Sequence, residues 1–173
     1  MRKIWAAAGA FFVAAIMSAQ QTESPLARLD VSAKKVGWDG VELGMSLVQT
    51  ERRVGQTLAL DPTASGKCGK YKVDVERNTL RLTLGFSGLR PGAKIETIWI
   101  RFEGYQVLAT RADLVDELKR RAPGAQYLPD PKYPDVPEAE RAEPSYSIPA
   151  GGGVDVRLNP GGGLLLAQSG CLE

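Results

Sequence analysis

The side chains with most chemistry to offer are two cysteines, Cys68 and Cys171, in a chain of 173 residues that contains no histidine. A reactive thiol needs a base, a cation or a resolving partner beside it. Without histidine there is no Ser-His-Asp or Cys-His machinery, no H-E-x-x-H site and no ordinary zinc centre. An even cysteine count points instead to a Cys68–Cys171 disulfide. Closing a loop of about 100 residues contributes ~4–5 kcal/mol in the chain-entropy model. The 20 Asp and Glu leave carboxylate chemistry as the remaining catalytic route. Asp113, Asp116 and Glu117 share one helical stretch, where Asp113 suits a capping box and the other two a solvated face. No catalytic residue, metal or cofactor is expected.

The N-terminus reads as an address. Met1-Arg2-Lys3 is positive, Ile4 to Met17 is uncharged and apolar, and Ser18-Ala19-Gln20 offers a small residue for cleavage. The apolar run falls short of the ~20 residues a spanning helix needs. Residues 1–19 are therefore expected to be a signal peptide, the mature chain periplasmic or secreted, and stable membrane insertion absent afterwards. Removing Arg2 and Lys3 brings the 22 Lys and Arg level with the 20 acids. A neutral chain has no electrostatic footprint for nucleic acid. The clusters Arg52-Arg53 and Lys119-Arg120-Arg121 fall near helix ends and read as solvated cations facing the macrodipole.

The elements that must hold these residues follow from periodicity. Residues 20–35 are polar and uneven and read as a flexible leader, with order beginning at Val36-Gly37-Trp38. Ser46 and Gln49 form a capping-box pair, Leu47, Val48 and Val54 give one apolar side, and Gly55 stops the helix. Tyr71, Val73 and Val75 alternate with Lys72 and Asp74; Leu80, Leu82, Leu84 and Phe86 alternate with Arg81 and Thr83. After the Pro91-Gly92 turn, Ile98, Ile100 and Phe102 mark a third strand with Thr97, Trp99 and Arg101 on its other face. A second helix is expected from a Thr110 cap, with Leu114, Val115 and Leu118 inward and Pro123-Gly124 ending it. Residues 123–149 hold seven of the 11 prolines. Strands are then expected at Tyr146 and Ile148, at Val154, Val156 and Leu158, and at Leu164 to Ala167.

The order repeats, so the fold expected is α+β: two tandem α-β-β-β units (36–105 and 106–173, the second with a proline-rich insertion at 123–149). They would share a curved antiparallel sheet with short helices on one face.

Gly40-Val41-Glu42-Leu43-Gly44-Met45-Ser46, the helix after it and Val54-Gly55 resemble the lead-in of the β-lactamase-inhibitor-like repeat. The small outer-membrane-assembly lipoproteins of the SmpA/OmlA type use one copy and the secreted β-lactamase inhibitors two. The second unit matches only in order of elements, since Leu108-Ala109-Thr110 replaces the Gly-Met-Ser turn. The resemblance implies a fold and an extracytoplasmic compartment, and no target.

A sheet with one uncovered face is a natural docking surface, and aromatic side chains are its usual anchors. Trp99 and Arg101 are the expected binding residues on the sheet, with Tyr127 and Tyr133 contributed by the proline-rich loop. The expected role is a non-enzymatic protein-binding module, an envelope-assembly accessory or an inhibitor of an extracytoplasmic enzyme. Its partner would be another envelope or extracellular protein. The alternatives are a cell-wall glycan hydrolase using two carboxylates across a cleft, and a structural envelope protein without a specific partner.

Overall fold

The computed structural model describes residues 25–62, 67–77, 80–101, 111–159 and 163–172. The expected signal peptide, Phe102 and the expected Thr110 cap lie outside them. Among the described residues are two antiparallel sheets and two α-helices. The first sheet, ordered β1-β2-β3, consists of β1 (Leu29–Ser32), β2 (Lys35–Trp38) and β3 (Val41–Glu42). Two-residue turns join its strands. At Asp39-Gly40 both residues have positive φ, 49° and 74°, as a twist-matched hairpin turn requires.

This sheet corrects the expectation of a flexible leader through residue 35. A 3-10 turn at Pro25–Arg28 and β1 precede β2, and Leu26 and Leu29 are buried. Two leucines burying their side chains outweigh the polar composition around them.

Helix α1 (Leu47–Val54) starts and stops as its sequence dictates. The Ser46 hydroxyl accepts the Gln49 N–H at 3.3 Å, and Gln49 Oε1 accepts the Ser46 N–H at 2.9 Å. Gly55, at φ 77°, closes the helix. After it come β4 (Tyr71–Arg77), β5 (Leu80–Phe86), β6 (Ile95–Arg101) and α2 (Arg111–Arg121). Four strands follow α2, where three were expected: β7 (Gln126–Leu128), β8 (Ser145–Ile148), β9 (Val154–Asn159) and β10 (Gly163–Gln168). The extra strand, β7, is a three-residue edge inside the proline-rich stretch. The large sheet has seven strands in the order β4-β5-β6-β10-β9-β8-β7. The two expected units meet at β6 and β10, where Ile98 pairs with Leu166 and Trp99 with Leu165.

One face of this sheet is the core. Its cross-strand row runs Val73, Leu84, Ile98, Leu166, Val156, Tyr146 and Tyr127. It joins Leu47 of α1, Leu114 and Leu118 of α2, and Val36 and Trp38 of the small sheet in a single apolar cluster. Asp39 binds the small sheet to the rest: its carboxylate accepts from Arg28 at 3.0 Å and from Arg77 Nε of β4 at 2.9 Å.

Two groups of cations are not merely solvated helix ends. Arg53 Nε donates to the Gly40 carbonyl at 3.1 Å, Lys119 reaches Glu138 at 2.8 Å, and Glu117 holds both Arg120 and Arg121. Each is close enough to a local acceptor to give up part of its hydration for a charge-assisted bond.

Candidate functional site

Period-two alternation puts Trp99 on the face opposite the core. Its flanking neighbours on β6, Ile98 and Ile100, are fully buried, whereas Trp99 is 41% exposed. The large exposed apolar side chains among the described residues are Leu89, Trp99 and Tyr133, and of these only Trp99 belongs to the regular sheet. The Arg101 guanidinium carbon lies 4.9 Å from the centre of the Trp99 ring, within cation–π range. Thr83 of β5 and Leu165 of β10 stand directly across from Trp99 on either side. Gly163 leaves room for the indole: a Cβ added there would sit 2.9 Å from the Trp99 ring nitrogen and 2.2 Å from the Ile100 carbonyl oxygen. The structure thus brings together Trp99 and Arg101, as expected, and adds Leu165 and Thr83. Those two could have been found by alternation within their own strands, but the pairing of β6 with β10 is not readable from one sequence.

The two loop tyrosines do not join this face, and the expected four-residue site is corrected accordingly. Tyr127 lies on β7, four strand spacings from β6, roughly 19 Å across the sheet. Its register partner is the buried Tyr146, so it points to the core face. The two rings meet edge to face at 6.2 Å, and the Tyr127 hydroxyl donates to the Val136 carbonyl at 3.2 Å. Tyr133 is 60% exposed and sits in the loop after β7. Arg141 organises that loop, lying 5.7 Å from the Tyr133 ring and donating to the Tyr133 carbonyl and to Asp130. The Lys132 N–H donates to Asp130 at 2.8 Å and, with Arg141, holds its carboxyl below the ordinary carboxylate range.

Cys68 and Cys171 are bonded, with Cα atoms 5.5 Å apart and a separation of 103 positions in sequence. The bond pins a loop over one end of the Trp99 face. Gly69 N–H donates to Glu96 at 2.7 Å, and Gly69 packs against Gly85 and Thr97 so closely that a Cβ on Gly85 would fall 2.8 Å from Gly69 Cα. At the same end the buried Asp155 accepts from Ser169 Oγ and Gly170 N–H. The other end, around Trp99, is left open by these contacts.

An open groove beside the small sheet collects Asp30, Asp39 and Glu42. Asp39 is held by Arg28 and Arg77, Glu42 by Lys35 at 2.8 Å, and Asp30 by the Gly40 N–H at 2.8 Å. These carboxylates are committed to the fold's own donors. No helix among the described residues is long and apolar enough to cross a membrane. Comparison with protein-family models, curated proteins and solved structures finds no match to this chain.

Proposed function

We propose that this protein is an exported, non-catalytic binding module of the bacterial envelope or its surroundings, and that it engages another protein through the sheet face around Trp99. The observation that carries this reading is a 41%-exposed tryptophan in the middle of a regular seven-stranded sheet, with an arginine stacked on it. Tryptophan and arginine are the residues most enriched where interfaces concentrate their binding energy. An unused sheet face would cover such a residue or replace it with a polar one.

Export is supported by the tripartite N-terminus and by a long-range disulfide, a bond that persists in oxidising compartments. The reading also takes α1 with β4, β5 and β6 as a unit of the β-lactamase-inhibitor-like kind. The Gly44-Met45-Ser46 lead-in, the capping box, Gly55 and three consecutive antiparallel strands favour it. Assembly accessory and inhibitor of an extracytoplasmic enzyme are the two roles such a module would fill.

The test is retention of proteins from an envelope extract by the disulfide-bonded protein and by its Trp99→Ala variant side by side. A protein held by the first and lost from the second supports the proposal. Equal retention by both, or none by either, counts against it.

A further inference from the structure

We infer that this protein carries a second docking element, separate from the Trp99 face: the loop between β7 and β8, which presents Tyr133 to a concave cleft on a partner protein. Leu128 and Ser145 are direct register partners on neighbouring strands, so a two-residue turn would suffice to join their strands. The chain instead takes 16 residues, 129–144, to return. Ordered loops of that length with their ends together are uncommon as plain connections, and they carry function disproportionately.

The loop is ordered by its own contacts. Two successive β-turns, Asp130 to Tyr133 and Tyr133 to Val136, close with backbone bonds of 3.0 and 3.3 Å. Each has a proline, Pro131 or Pro134, at its second position, where a fixed φ suits the turn. Asp130 accepts from the Lys132 N–H and from Arg141, and Arg141 also donates to the Tyr133 carbonyl at 2.9 Å. The loop is tied to the body through the Tyr127 hydroxyl, which donates to the Val136 carbonyl. Glu138 adds a second tie, accepting from Lys119 of α2 and from the Tyr146 hydroxyl, both at 2.8 Å.

Tyr133 is what this order holds outward. Its ring is 60% exposed, the most exposed of the large apolar side chains described, and lies 5.7 Å from the Arg141 guanidinium carbon. A ring needed by the fold would be turned inward, as those of Tyr127 and Tyr146 are. Tyrosine is among the residues that concentrate binding energy, and a loop already ordered loses little freedom on docking. The tip also selects the kind of partner. Lys132, Tyr133, Pro134 and Asp135 are all exposed, so the tip protrudes and is matched by a recess. Lys132 and Asp135 flank the ring with opposite signs, which leaves no net field to attract nucleic acid or an anionic surface. Pro131 and Pro134 lack backbone N–H groups, so the tip is a poor edge for an added strand. Its complement is an apolar pocket of aromatic size with a hydrogen-bonding group for the phenol hydroxyl. Strand β7 lies four strands from β6, which sets this element apart from Trp99.

The test places a photocrosslinker in the disulfide-bonded protein, Tyr133→p-benzoylphenylalanine, and irradiates it in envelope extract. Mass spectrometry then maps the crosslinked residue on the protein that is caught. The expected result is one protein, crosslinked at residues lining a cleft, and caught equally when Trp99→Ala is added. For that protein, Tyr133→Ala should weaken binding roughly tenfold or more by isothermal titration, with an unchanged thermal melt. Arg141→Ala, which loosens the loop and keeps the ring, should weaken it by a smaller factor. No crosslink, crosslinks spread over many proteins or onto a second copy of this chain, or a crosslink on a flat surface would overturn the inference. So would an unchanged affinity in well-folded Tyr133→Ala. A crosslink lost with Trp99→Ala would merge loop and face into one site and remove the second element, while leaving the Trp99 reading standing.

Discussion

Removing the disulfide by Cys68→Ser/Cys171→Ser should cost this protein several kcal/mol of stability. The bond joins residues separated by 103 positions, so in the unfolded chain it closes a loop spanning most of the sheet. The chain-entropy relation gives about 16 cal/mol/K for a loop of that length, or about 4.7 kcal/mol at 25 °C. Both cysteines are half-buried, so serine adds little local cost. With a urea dependence of about 2 kcal/mol per molar, the denaturation midpoint should fall by a little over 2 M. A second signature is local. Gly69 is held over Gly85 and Thr97 by the bond, so its amide, protected by Glu96, should exchange faster in the variant even where the protein remains folded. Both measurements use the same purified pair of proteins, by urea titration and hydrogen exchange. A stability loss under about 1 kcal/mol with a normal fold would refute the loop-closure account.

Three further outcomes follow from particular contacts. Gly85→Ala should destabilise by about 1–3 kcal/mol in a thermal melt, because its new methyl would lie 2.2 Å from Thr97 Oγ1 and 2.8 Å from the Gly69 backbone. Ser46→Ala removes half of the α1 capping box and should cost about 1 kcal/mol in urea titration, with no change in the disulfide. Asp130 titrates below its ordinary value, so its contribution to the loop after β7 is complete above pH 3.8 and is lost as pH falls through the lower folded value. Pepsin cleavage within residues 129–141 should therefore rise as pH drops through that window, and Asp130→Asn should be cut readily across the whole range.

Much of the sheet was legible because its strands are long enough to count. Leu80, Leu82, Leu84 and Phe86 alternate over seven residues of β5, and Ile98 and Ile100 do the same for β6, which also placed Trp99 outward. Helix α1 was legible from its two ends. The small first sheet was not, since β1 to β3 have four, four and two residues and their polar composition hides Leu26 and Leu29. One signal was available: Asp39-Gly40 between Trp38 and Val41 is the dipeptide of a tight hairpin. Strand β7 is a different case. Three residues beside prolines carry no usable period, so Tyr127 read as a loop aromatic when it is the edge of the core. The Arg28–Asp39–Arg77 cluster and the placing of Leu165 beside Trp99 depend on strand order, and spacing along one chain does not encode it.

The central claim is that Trp99 is there to be covered by a partner, and the most direct measurement compares it with the other described tryptophan, Trp38. Trp38 is fully buried and Trp99 is 41% exposed. Trp38→Ala should cost about 3–5 kcal/mol and lower Tm by roughly 10 °C or more. Trp99→Ala should lower Tm by less than about 5 °C while weakening the retained partner, by isothermal titration, by about 2 kcal/mol or more. A collapse of Tm in Trp99→Ala comparable to that of Trp38→Ala would contradict the claim by making the side chain part of the core, and so would an unchanged affinity in a well-folded variant.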